Sequence, residues 1–349
     1  MPDACHRGTL ASLAEETGNA MHPFLILTLL GVTVCTVVTQ YMIRVGIMDV
    51  PGDRSAHIRP VPKGGGIAMM MSLLAGAVYI LVFHPFPATE FMKTGIVLLA
   101  ALGLAWFSWR DDVYQYPART KLRAQLIATI IVTICALWGL PLTLLTGLKI
   151  ICGVGFVIYV TNALNFMDGI NGLAVGTIAC CGLILTPLLL VSAQNSESAL
   201  FFSLGIAALT FLYFNYPKAR IFMSDVGSQP CGLLLGWGAL LFMRNGTWSL
   251  LVPLMLMGIL FDVTFTLIRR ALRGENLMQA HCGHLYQIAG RAGVSKPLIT
   301  LLHWVFIFWG GFIGLTFIGF KAQIILTLIP QFIWAGYVIR KARGQHLAL

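Results

Sequence analysis

Acidic, amide, histidine and glycine residues of this chain gather in five short polar stretches, and their types suit phosphate and divalent-cation chemistry. The first reads Asp49-Val-Pro-Gly-Asp-Arg54-Ser-Ala-His57-Ile-Arg59-Pro-Val-Pro-Lys63-Gly-Gly-Gly66. Its prolines and successive glycines favour ordered, non-helical backbone with N–H groups able to meet an anion. Arg54, His57, Arg59 and Lys63 add donors suited to phosphate. The second stretch sets Asp111 beside Asp112, followed by Lys121 and Arg123. The third, Asn162-Ala-Leu-Asn165-Phe-Met-Asp168-Gly-Ile-Asn171-Gly172, offers oxygen ligands next to glycines that let the chain turn tightly. The fourth is Phe222-Met-Ser-Asp225-Val-Gly-Ser228, an aspartate with a glycine and a hydroxyl just behind it. The fifth carries His281-Cys-Gly-His284-Leu-Tyr286, where Gly283 weakens a helical metal pair and phosphate contact or proton transfer is the equal alternative.

Taken singly, each stretch has an ordinary reading: an aspartate can cap a helix, and a basic loop can sit against anionic lipid. Together they are harder to explain that way. Neighbouring carboxylates repel, a divalent cation is the usual remedy, and oxygen-only ligands favour Mg²⁺, with Mn²⁺ the alternative. Eight cysteines are scattered without metal spacing, and most read as small buried hydrophobes.

The elements that must position these residues are membrane helices. Of 349 residues, 58% are hydrophobic and 10% charged, against about a quarter charged in soluble proteins. Apolar runs near the ~20 residues that cross a bilayer fall at 23–43, 67–84, 94–109, 124–138, 148–163, 172–192, 199–214, 230–243, 248–268, 299–318 and 322–339. The expectation is an all-α polytopic transmembrane bundle of about eleven helices, or ten if the Gly-rich 230–243 segment does not span. No stretch alternates apolar and polar residues as barrel strands do.

Eleven spans put the termini on opposite sides. One side receives loops 44–66, 110–123, 164–171, 215–229 and 269–298 and the tail, and with them all the Lys and Arg except Arg7, Lys93, Lys149, Arg244 and Lys321, of 23 in total. The positive-inside rule makes that side cytoplasmic, with the N-terminus out and the C-terminus in. The net charge of +10 is thus mainly a topology signal and leaves no basic soluble face for nucleic acid. Asp49, Asp53, Asp111, Asp112, Asp168, Asp225, Asp262 and Glu275 lie on or beside the same face, where carboxylates near hydrocarbon are costly unless paired or cation-bound. The expected domains are an N-terminal extension at 1–22, one transmembrane catalytic unit at 23–343 and a tail at 344–349. Residues 1–20 are polar without signal-peptide features, so translation is expected to begin at Met21.

In this order the loops resemble the polyprenyl-phosphate N-acetylhexosamine-1-phosphate transferases, the superfamily of the phospho-MurNAc-pentapeptide translocase and the undecaprenyl-phosphate GlcNAc-1-phosphate transferases. Asp49, Pro51, Arg54, His57, Pro60, Pro62, Gly64 and Gly65 match its first-loop pattern, and Asp111-Asp112 its paired aspartates. Residues 162–169 resemble its N-x-x-N-x-x-D-G loop, and Phe222–Ser228 its F-M-G-D-x-G-S loop. Two positions depart: Asn171 stands where many members have Asp, and Ser224 replaces Gly. The stretch Leu267–Glu275 with Ala280–Gln287 is closer to the bacterial O-antigen initiating branch.

The resemblance implies transfer of an N-acetylhexosamine-1-phosphate from a UDP-sugar to undecaprenyl phosphate in the bacterial inner membrane, with Mg²⁺ and with the site facing the cytoplasm. It implies Asp225 as a metal ligand, and Asp111, Asp112 and Asp168 as further metal or catalytic carboxylates. Lys121, Asn162, Asn165 and Asn171 would contact nucleotide or diphosphate, and Phe222 would stack on uracil. His281 and His284 would meet phosphate, and Arg54 and His57 would assist binding. Such chains are often homodimers. Peptidoglycan-type phospho-MurNAc-pentapeptide transfer is the nearest alternative, and a cation-coupled transporter the alternative of another class. A transporter would hold its carboxylates near the midplane, often in two repeated halves; here they sit at loop junctions, and no repeat is visible.

Overall fold

A computed structural model describes residues 3–49, 60–84, 87–246, 248–277, 279, 281–316 and 318–347, with side chains from His22 onward except Asn245. The first-loop candidates Arg54 and His57 lie outside the described residues. The chain forms α1 (Asp3–Val45), a short hairpin of β1 (Met48–Asp49) and β2 (Val61–Pro62), then α2 (Gly66–Phe83), α3 (Ala88–Tyr114), α4 (Ala118–Ala136), α5 (Leu144–Phe166), α6 (Leu173–Val191) and α7 (Asn195–Asn215). There follow α8 (Asp225–Asn245), α9 (Leu251–Met255), α10 (Met257–Leu272), α11 (Leu285–Arg291), α12 (Lys296–Leu315) and α13 (Phe320–Gly344).

Every expected span falls largely on helix. Among the described residues, nine helices are long and apolar enough to cross a membrane: α1 from His22, α2, α3, α5 to α8, α12 and α13. The other two expected spans differ for physical reasons. Helix α4 carries Arg119, Lys121 and Arg123 in its first two turns, so its apolar part is short. The run 248–268 is broken at Leu256 into α9 and α10. Pro253, within α9, brings no backbone N–H to the helix. Close by, α12 crosses so tightly that a Cβ on Gly310 would strike the Leu254 carbonyl.

Helix α8 sits at the centre, packed on by α3, α4, α5 and α2, and 94% of its apolar window is buried. That enclosure explains the glycines of the 230–243 segment. A Cβ on Gly232 would approach Thr161 Cα to 2.7 Å, and one on Gly236 would reach Val157 Cα at 3.1 Å, so small residues let α5 lie against α8. The large exposed apolar side chains, Leu99, Ile127, Ile151 and Ile333 among them, face outward from the bundle as hydrocarbon-facing residues must. The polar stretches all fall at one end, where α3, α5 and α7 finish and α2, α4, α6 and α8 begin.

Candidate active site

Two of the five loops are joined through their backbones. Phe222 N–H donates to the Pro62 carbonyl at 2.8 Å, Gly65 N–H to Phe222 O at 2.9 Å and Gly66 N–H to Met223 O at 2.9 Å. The Gly64 N–H then donates to Ser224 Oγ at 3.0 Å. A Cβ on Gly66 would collide with the Gly227 backbone, and one on Gly65 with the Phe211 ring, so the glycine run lets the first loop lie flat on the start of α8. Ser224 takes φ +59° and ψ −179°, a conformation essentially reserved for glycine. Its departure from the family pattern is therefore strained, and it is held by the Gly64 bond and by proximity to the Asp112 carboxylate.

Asp225 occupies the first turn of α8, where the helix dipole favours negative charge. Its Oδ1 accepts from Asn165 Nδ2 at 2.8 Å and its Oδ2 from Gln229 Nε2 at 3.0 Å. Asn165 also donates to Ser228 Oγ at 2.9 Å. A chain of amides continues inward: Gln125 Nε2 donates to Gln229 Oε1 at 3.2 Å, and Asn162 Nδ2 donates to Gln125 Oε1 at 2.9 Å. Buried Gln125 and Gln229 were not singled out from sequence. The available signal was position, Gln125 inside an apolar span and Gln229 at the edge of one, four residues after Lys121 and Asp225 respectively, where a helix repeats its face.

The paired aspartates diverge. Asp111, 3% exposed, binds Lys121 Nζ at 2.5 Å and accepts the Tyr116 N–H at 2.8 Å, which closes the turn between α3 and α4. Asp112 points instead toward Asp225 and Ser224. Its Oδ2 is buried with no hydrogen-bond partner among the described residues. Lys63 Nζ donates to the Asp112 carbonyl at 3.3 Å, drawing the first loop to the same place. Asp168 lies in the turn after α5, and burial, with the Asp225 and Asp112 charges added, holds its carboxyl well above the usual carboxylate range.

Asn171 is used in loop packing. It donates to the Pro217 carbonyl at 3.1 Å and so braces the loop after α7. Phe222 is half-buried, and its backbone is used in the loop pairing.

The histidine stretch is built from α10. Asp262, 1% exposed, accepts from Leu285 N–H and Tyr286 N–H, each at 2.9 Å, and lies 3.1 Å from His284 Nδ1. It thereby caps α11 and fixes the His284 ring. That ring stacks with His281 at 4.8 Å between centroids and lies 5.8 Å from Phe166 of the third loop. Tyr286 Oη donates to the Phe166 carbonyl at 2.9 Å. Burial, with His284, Arg270 and Arg269 nearby, pushes His281 down to about 4, so it is neutral at pH 7. Buried Arg270 binds Glu275, Asn276 and Gln279 and folds the loop. Arg269 donates Nη2 to Gly283 O, while its Nε and Nη1 are buried without a partner among the described residues.

The arrangement can hold an oxyanion-rich ligand between carboxylates that need a cation and donors that lack an acceptor. The oxygen donor set and the unpartnered Asp112 Oδ2 fit a Mg²⁺-type ion. Among the described residues, no three Asp, Glu, His or Cys side chains surround one point as a closed cage would. An ion here would thus rely on few protein oxygens, leaving positions for phosphate and water, as Mg²⁺ commonly does.

A family model described as glycosyl transferase family 4 matches residues 94–243. The chain is 28% identical over 303 residues to a probable undecaprenyl-phosphate N-acetylglucosaminyl 1-phosphate transferase of Bacillus subtilis (strain 168), a match covering 79% of each chain. It is 27% identical over 352 residues to a decaprenyl-phosphate N-acetylglucosaminephosphotransferase of Mycolicibacterium smegmatis, covering 86% of this chain and 83% of that one. It is also 28% identical to a phospho-N-acetylmuramoyl-pentapeptide-transferase of Chlamydia pneumoniae, over 71% of this chain and 78% of the relative. The matched region runs from α3 through α8 and holds Asp111, Asp112, Lys121, Asn162, Asn165, Asp168 and Asp225, and what the chain is similar to, along most of its length, is the polyprenyl-phosphate sugar-1-phosphate transferases.

Proposed function

We propose that this protein transfers a sugar-1-phosphate, an N-acetylhexosamine-1-phosphate from a UDP-sugar, to undecaprenyl phosphate, releasing UMP. The carrying observation is the stitching of the first and fourth loops at the end of the bundle, which draws Lys63 to the Asp112 carbonyl and leaves Asp112 Oδ2 buried without a partner among the described residues near the Asp225 end of α8. A phosphate oxygen of the lipid attacks the sugar-bearing phosphorus of the donor. A new P–O–P bond forms to the lipid, and the bridging bond to the nucleotide breaks, UMP leaving with its electron pair. Such chemistry depends mainly on positioning and on neutralising charge.

Asp225 and Asp112, with Asp168 beside them, would hold Mg²⁺, or Mn²⁺ in its place. Such an ion would lower the charge of the diphosphate during transfer. Asn165 and Gln229 orient Asp225, and Lys121 orients Asp111. The unpartnered Nε and Nη1 of Arg269, with His281 and His284, suit the donor phosphates. The positive-inside split supports a site that faces the cytosol, where nucleotide sugars are made, from the inner membrane of a bacterium. The likeness of the fifth loop to the O-antigen branch supports a role in starting a cell-surface polysaccharide.

The test is an assay of purified protein with undecaprenyl phosphate, MgCl₂ and a panel of radiolabelled UDP-N-acetylhexosamines, including UDP-MurNAc-pentapeptide. Mg²⁺-dependent, tunicamycin-sensitive transfer with UMP release is expected. Turnover of none of the panel would reject the reading, and turnover of the pentapeptide donor alone would move it to the peptidoglycan branch.

A further inference from the structure

At the opposite end of α3 and α8 from the carboxylate site, a cavity of about 200 Å³ opens among Glu90, Lys93, Gln194, Glu197, Trp237 and Arg244. Its polar groups are poorly satisfied from within. Among the described residues, Glu90 Oε2, Gln194 Oε1 and the indole N–H of Trp237 are buried with no hydrogen-bond partner, and Trp237 is 1% exposed. Glu197, 6% exposed, accepts from Ser196 Oγ at 2.8 Å, and Arg244 donates to the Ala136 carbonyl at 3.1 Å. Among the described residues no ion pair joins the two carboxylates to the two cations. Leaving such groups unpaired is costly, which marks the cavity as shaped for an occupant.

The charges say what kind. A bare cation would face Lys93 and Arg244, and a bare anion would face Glu90 and Glu197. A ligand carrying both charges on separated groups can answer all four. Ser196 also hydrogen-bonds Thr94 at 2.9 Å, and beyond that pair lies an apolar crevice between α2, α3 and α7, lined by Ala77, Ile80, Phe91, Leu98 and Leu200. Thr94 and Ser196 thus stand between a polar chamber and an apolar one at the ends of membrane-spanning helices, where lipid headgroups lie.

We propose that this cavity binds the headgroup of one zwitterionic, amine-bearing phospholipid on the non-catalytic face, its phosphate at Lys93 and Arg244 and its ammonium at Glu90 and Glu197, with an acyl chain lying across the mouth of the crevice beside exposed Phe91. The proposal stands apart from the transferase assignment, since it needs only a membrane-spanning bundle.

The experiment is native mass spectrometry of the purified chain with added phosphatidylethanolamine, phosphatidylglycerol or soluble O-phosphoethanolamine. One phosphatidylethanolamine per chain should persist at collision energies that strip other lipid, with at least tenfold more retained than phosphatidylglycerol. Retention of O-phosphoethanolamine alone would assign the site to a soluble solute and overturn the lipid. Lys93→Gln with Glu90→Gln should lower retention about tenfold, and Leu98→Trp should block the acyl arm without touching the charges. Both variants should keep the wild-type gel-filtration profile. A misfolded double variant would leave Leu98→Trp to decide. Equal retention of both lipids, no lipid retained, or undiminished retention in the folded variants would overturn the proposal.

Discussion

Asp262, on α10, holds the Nδ1 face of His284 at 3.1 Å while capping the two backbone N–H groups that follow it. One carboxylate therefore sets both the start of α11 and the direction in which His284 presents its other nitrogen. His284→Ala is expected to lower transfer by about 100-fold, the usual scale for a group acting on protons or phosphate charge. Asp262→Asn should cost about tenfold in kcat with little change in donor KM, because the one amide oxygen keeps one of the two backbone contacts while the carboxylate facing His284 is lost. Asp262→Ala would also leave buried N–H groups unpaired and lower the unfolding free energy by about 1–3 kcal/mol. Kinetics with thermal unfolding in detergent separate these effects, and wild-type kcat in Asp262→Asn would dismiss the orienting role.

Asp225→Asn should abolish transfer while the protein stays folded in membranes. The new amide would oppose a donor from Asn165 or Gln229, a local loss of about 1 kcal/mol, too small to unfold the bundle. Chelation with EDTA should likewise stop transfer and Mg²⁺ restore it. Substantial activity of the variant, or indifference to EDTA, would remove the metal role.

Ser224 offers a test of strain against bonding. Ser224→Ala keeps the φ of +59° and loses the hydroxyl contacts, whereas Ser224→Gly loses the same contacts but relieves the backbone. Glycine should therefore be the more stable of the two variants by about 1 kcal/mol or more. Equal melting temperatures would mean that the strain is relieved elsewhere.

His281 makes stability depend on pH with a definite sign. Its pKa falls from 6.5 in the unfolded chain to about 4 in the fold, so the unfolded state binds the proton more tightly. Stability should be complete above about pH 6.5 and decline as pH falls toward 4. Replacing His281 by Gln should flatten that part of the melting-temperature profile. A profile unchanged by the substitution would argue that His281 is solvated and unperturbed.

Arg269→Gln should raise the donor KM about tenfold or more, because Nε and Nη1 of Arg269 have no acceptor among the described residues. An unchanged KM would assign Arg269 to bracing Gly283 alone.

The parts of this fold legible in sequence are those governed by local rules. Apolar length located each span, and the order of Asp, Asn and Gly residues located the loops that meet. What escaped was set by tertiary contact. Nothing local ties Asp262 to His284, twenty-two residues later, or Gln125 to Gln229 across two helices. The break at Leu256 escaped too, since an unbroken apolar run does not show where another helix will crowd it. Asp111 and Asp112 read as equivalent in sequence, yet adjacent positions on a helix point about 100° apart, and only Asp112 turns toward Asp225.

The seam between residues 62–66 and 222–224 has an evolutionary corollary. Its rungs are mostly main-chain groups, so substitutions outside Gly64, Gly65 and Gly66 leave it standing. Its tolerance for length is far narrower. One inserted residue would slide the partner by about 3.3 Å, and displacement of even 1 Å can cost an active site about 100-fold. Drift in this clasp should therefore be rich in replacements and poor in insertions or deletions.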